Sequence, residues 1–132
     1  MYETEKDLEK DGVDVKIGPA TFVVARAGGS NRDFKNMLLA KSKPLQKRIK
    51  KNTVDADLDV ESESLMIEVY SKTVIKGWSG VTDRDGNEFP FTVENCIMLL
   101  SDLPDLFTEI QTEASDISNF QNEIKEEDLK KS

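Results

Sequence analysis

From Leu103 onward the apolar residues keep one spacing: Leu103, Leu106, Phe107, Ile110, Ala114, Ile117, then Phe120 or Ile124. Residues three and four apart share a helix face, so this stripe commits the chain to an amphipathic helix that other elements must cover. Earlier segments supply the cover. Phe34, Leu38, Leu45 and Ile49, with Met37 beside them, fall on one helical face behind a cap at Ser30 or Asn31, and Asp33 stands in the first turn. Pro44 sits inside that run and is expected to kink or split it near Lys43. Asp59 or Val60 opens a second helix carrying Leu65, Met66, Val69, Tyr70 and Thr73/Val74 toward Trp78, with Gly77 and Gly80 ending it. Thr92 caps a third, short helix bearing Val93, Cys96, Ile97 and Leu100. Asp102 reads as the cap of the fourth, where Pro104 fits the first turn at no cost in hydrogen bonds.

The N-terminal part has a different period. Val13-Asp14-Val15-Lys16-Ile17 alternates, Gly18-Pro19 interrupts, and Thr21-Phe22-Val23-Val24-Ala25 follows, β-branched and aromatic. Two short strands joined at Gly-Pro predict a hairpin, which must lie on something else to be stable. Between Val81 and Phe89 an Asp85-Gly86 step predicts a second reversal, and Pro90 limits any strand beyond it. The expected fold is therefore mainly α with a small N-terminal β hairpin: α+β, helix-dominated, a single compact domain of about four helices. Residues 1–12 read as a flexible lead-in, 13–121 as the domain, and 122–132 as a charged C-terminal tail.

Composition narrows the function. The 132 residues carry 18 Lys+Arg against 26 Asp+Glu, a net charge of −8, which argues against a surface given over to nucleic acid. There is no histidine, so Ser-His and Cys-His nucleophile systems and histidine-ligated metals are excluded. The single cysteine, Cys96, cannot form an internal disulfide and lies on the apolar face of its helix, where a buried small hydrophobe is expected. No apolar run approaches the roughly 20 residues that span a bilayer, and the acidic, polar start resembles no secretory leader. These features point to a soluble cytoplasmic protein that works by binding, with no enzymatic activity, no cofactor and no metal.

Three constellations bear on chemistry. Residues 31–52 hold eight cations (Arg32, Lys35, Lys41, Lys43, Lys47, Arg48, Lys50, Lys51) and one acid, Asp33, a local +7 against −15 for the rest. Such a helix can dock on nucleic acid, anionic lipid or an acidic protein face, or it can simply be the solvated back of a core helix. Asp83, Asp85, Asn87 and Glu94 fall at ligand positions of a calcium loop, but Glu88 stands where the loop needs Gly and Pro90 where it needs an aliphatic residue, so an Asp-Gly turn is expected. Gly28-Gly29-Ser30 precedes a helix and could hold an anion, yet lacks the Gly and Lys-Ser/Thr of phosphate loops, which favours a plain chain reversal. The acid pairs Glu61/Glu63 and Glu126/Glu127/Asp128 sit in polar runs with no apolar pocket to raise a pKa.

The second half has a familiar order. Val74-Ile75-Lys76-Gly77-Trp78-Ser79-Gly80-Val81-Thr82-Asp83, Asp85-Gly86-Asn87-Glu88 and Phe89-Pro90-Phe91-Thr92-Val93-Glu94-Asn95, then Leu99-Leu100, Leu103-Pro104-Asp105-Leu106-Phe107, Ala114 and Asn119-Phe120, resemble tail assembly chaperones of long-tailed bacteriophages. Arg26-Ala27-Gly28-Gly29 with Asn31 and Phe34 is similar to a turn near the start of such proteins, so the resemblance spans roughly residues 20–132. It implies a protein that coats the tape measure protein and recruits tail tube protein in the host cytoplasm, and that is absent from the mature virion. Trp78, Phe89 and Phe91 are the candidate partner-binding residues, because aromatics are favoured at hot spots. Their alternative is core packing. No membrane is expected among the partners. Two rival readings remain: a small virion structural protein of the tail or connector, and a nucleic-acid-binding regulator acting through residues 31–52.

Overall fold

The structure is a computed structural model that describes residues 6–50 and 56–121, with side chains described for 6–47 and 60–121. Its elements run α1 (Lys6–Asp11), β1 (Val13–Ile17), β2 (Ala20–Val24), α2 (Arg32–Lys50), α3 (Ala56–Thr73), β3 (Ile75–Ser79), α4 (Val93–Asp102), α5 (Pro104–Ser115) and a short 3₁₀ helix, Ile117–Phe120. The chain is thus α+β and helix-dominated, with one small antiparallel sheet ordered β1-β2-β3. The tail 122–132, Ile124, Lys51 and the Glu126/Glu127/Asp128 run lie outside the described residues, as do the side chains of Arg48, Ile49 and Lys50.

The predicted hairpin forms: β1 pairs with β2 from Val13↔Val24 to Ile17↔Ala20 around the Gly18-Pro19 turn. Alternation sends Val15, Ala20, Phe22 and Val24 into the core, while Asp14 and Lys16 face water. The surface on which the hairpin lies includes a third strand, where the periodicity predicts a helix running from Asp59 or Val60 toward Trp78. The helix stops at Thr73, and Ile75–Ser79 pairs with β2 through Phe22↔Trp78 and Val23↔Gly77. An irregularity at Val23/Val24 leaves Lys76 as an extra residue before Val24↔Ile75. Val74 N still donates to Tyr70 O at 3.0 Å, and from β-branched, buried Ile75 onward the chain pairs with β2 in place of one more turn of helix.

Three further expectations need correction. Lys6–Asp11, inside the stretch read as lead-in, is helical and carries buried Glu9. Pro44 does not split α2. The helix is continuous through it, and Ala40, the residue whose carbonyl loses a donor there, is exposed and open to water. Asp102 does not cap α5: it ends α4, and Leu103 is the N-cap residue, with no side-chain cap bond.

The core lies where α3, α4 and α5 meet the sheet, with Phe34 of α2 added from the side. Tyr70 is its centre, edge-on to Phe34 (5.5 Å between ring centroids) and to Phe107 (5.2 Å). Phe107, Ile110 and Ala114 supply α5's buried stripe, Cys96 and Leu100 supply α4's, and Phe120 is buried by the 3₁₀ turn. α3 packs against both α2 and α4.

A candidate docking groove between a hairpin turn and a helix joint

Two loops lead from sheet to helix, and both are built around glycine. The first, residues 25–31, is tied in on every side. Ala25 N donates to Val74 O (2.7 Å), Ala27 N to Ala114 O (2.9 Å), and the Asn31 amide to both Arg26 O and Thr73 O (2.9 Å each). The Gly28-Gly29-Ser30 turn does hold an anion, and it comes from the chain itself. Glu9, 2% exposed, pairs with the Arg26 guanidinium and accepts from Ser30 N at 2.9 Å. Gly29, at φ +54°, makes room for this: a Cβ there would stand 2.8 Å from the Glu9 carboxylate.

The second loop, from Val81 to Thr92, closes differently. Asp83 Oδ1 accepts from the backbone N–H groups of Asp85 (2.9 Å) and Asn87 (3.0 Å), Gly86 takes φ +83°, and Phe89 N donates to Val81 O at 2.9 Å. This is the predicted Asp-Gly reversal. Two backbone donors already engage the Asp83 carboxylate, and Glu94 lies beyond the turn in α4. Among the described residues, no three or more His, Cys, Asp or Glu side chains are grouped to hold a metal ion. Thr92 caps α4 as expected, accepting from Asn95 N at 3.0 Å, and the Asn95 amide donates to Pro90 O at 2.9 Å.

These bonds fix a wall. Trp78, Phe89 and Phe91 are brought together: the Trp78 and Phe89 rings stack at 6.0 Å, Phe91 meets Trp78 edge-on at 5.0 Å, and the indole N–H donates to Phe89 O at 2.7 Å. All three are half-buried, and Trp78 also touches Phe22 of the core edge-on. Of the three, only Phe89 reaches the groove beyond the wall. That groove, about 580 Å³, is lined by Thr82, Asp83, Arg84 and Asp85 of the turn, by Phe89, and by Met98, Leu99, Asp102 and Leu103 of α4 and the joint. Met98 is 56% exposed and Leu103 48%. Sequence reasoning missed Met98 altogether. It placed Leu103 in the core stripe, but Leu103 sits at φ −125°, ψ 76°, outside helical geometry, and does not share α5's phase.

The other candidates lie outside the lining of this groove. Arg32, Lys35, Lys41, Lys43 and Lys47 stand exposed on α2, and Lys41 bonds Glu68 of α3 at 3.2 Å alongside Lys72 at 2.7 Å. The Cys96 thiol is fully buried and pushed up to about 11 by burial, so it stays protonated and behaves as a small hydrophobe. Glu63 is exposed, and Glu61 is exposed with a partner of its own. No helix among the described residues is long and apolar enough to cross a membrane.

The YdaY prophage protein family matches residues 29–131, most of the chain. No curated protein and no solved structure matches it. The chain belongs to the YdaY prophage protein family and is phage-derived.

Proposed function

Starting from membership of a prophage protein family, we propose that this protein is a tail assembly chaperone, a non-enzymatic module that binds tape measure and tail tube proteins transiently and keeps them soluble until the tube grows. The observation that carries this reading is the groove between the Asp83–Asn87 turn and the α4–α5 joint. Met98 and Leu103 are left open to water there, above half-buried Phe89 and Leu99, inside a polar margin. An apolar floor with a polar rim suits helix-in-groove binding, and an interface of modest area can be released again. The net charge of −8 helps keep such a protein soluble while it is free. The protein would act in the host cytoplasm during assembly and be left out of the mature virion.

The test is co-expression with the tape measure and tube proteins of the same prophage, with complexes sized by light scattering after gel filtration. The expected result is that a client becomes soluble only with this chain and elutes with it. If the chain elutes alone and neither client changes, the reading fails. Recovery of the chain in purified virions would instead support the structural-subunit alternative.

A further inference from the structure

The groove also has a sign. Among the described residues three carboxylates line it, Asp83 and Asp85 on the turn and Asp102 at the end of α4, against one cation, Arg84. Asp83 is fixed by the hydrogen bonds of its turn, while Asp102 belongs to the last turn of a capped helix, so the acidic groups rest on two elements with the apolar floor on the same lining. We infer that the groove takes an amphipathic helix whose apolar stripe is flanked by lysine or arginine, the stripe seating on Phe89, Met98, Leu99 and Leu103 and the cations meeting Asp85 and Asp102. Charge at an interface rim selects the partner and sets its register, while the apolar centre holds it. This rests on the proposed function for the identity of the client, but not for the chemistry of recognition. The same rim disfavours an acidic helix, whose charges would be juxtaposed with those carboxylates. Arg84 is the one lining residue of the wrong sign for a basic helix, and it stands exposed on the turn where it can be changed without touching the core.

The probe is a synthetic peptide with leucines at helical spacing and lysines beside them, compared with the same peptide carrying glutamates, binding being read by fluorescence anisotropy and by the Met98 methyl resonance. Wild-type protein should prefer the lysine peptide by about tenfold or more at low salt, with the preference shrinking as salt screens the rim. Arg84→Glu should tighten the lysine peptide further, and Asp85→Lys with Asp102→Lys should invert the preference. Reversal at Glu63 and Asp14, exposed acids outside the groove, should leave it in place. Equal binding of the two peptides, no binding of either, an unmoved Met98 resonance, or an equal effect from the Glu63/Asp14 reversal would overturn the inference. Charge-blind binding beside a positive co-expression result removes this inference alone. A clear preference with no effect on any tail protein removes the chaperone reading and leaves the recognition chemistry standing.

Discussion

The two loops that carry the chain from sheet to helix are built alike and finished in opposite ways. At residues 25–31 the polar groups turn inward: Asn31 joins Arg26 to Thr73, and Glu9 fills the turn before α2. At residues 81–92 the turn satisfies itself through Asp83, and the apolar side chains beyond it are left facing water. The first loop ties α1, α2, α3 and α5 into one body. The second lies beside Met98 and Leu103, which stay open to water. The two loops differ in where the apolar groups beside them end up, and not in how well their hydrogen bonds are made.

That contrast breaks first in the core beneath both loops. Ile110→Ala, at a fully buried position, should cost about 2–5 kcal/mol in chemical denaturation, and Leu106→Ala, half-buried one turn earlier, clearly less. In the closed loop, Asn31→Leu strands the carbonyls of Arg26 and Thr73 and should cost about 1–3 kcal/mol by the same measurement. In the open loop, Met98→Ser should change stability by no more than about 0.5 kcal/mol, because that side chain is mostly solvated, yet it should weaken client binding in a pull-down. The smallest effect belongs to the Lys41–Glu68–Lys72 cluster. Hydrogen bonds from Lys72 and then Lys41 hold the Glu68 carboxyl below its usual 4.5. Its contribution, about 0.3–0.5 kcal/mol, is therefore present above that value and lost as pH falls through the lowered one. Glu68→Gln should flatten that part of the stability–pH curve.

Much of the fold was legible because its signals are local. The β1–β2 alternation, the Asp85-Gly86 turn, the Thr92 cap and the buried Phe107, Ile110 and Ala114 each follow from a few neighbouring residues. What was not legible depends on residues far apart. β3 exists because β2 offers an edge, and Val74 and Ile75 alone could equally have continued the helical stripe. Glu9 stands in a charged run that reads as solvated, and its partners Arg26 and Ser30 lie 17 and 21 residues away. The aromatic trio was legible as residue types, while its internal packing and the opening of the groove beside Phe89 were not. Leu103 shows why: its spacing matches the stripe, but the backbone at the helix joint turns its side chain away.

A chaperone that docks its client in this groove needs the exposed Met98 and Leu103 side chains for binding and not for folding. The most direct measurement pairs thermal unfolding with client solubility for the double variant Met98→Gln, Leu103→Gln, which removes the apolar surface without adding charge or a helix cap. Unchanged unfolding together with loss of client from the soluble fraction is the expected result. A variant that unfolds early would show that these side chains hold the fold together, and a stable variant that still keeps its client soluble would place the binding surface elsewhere.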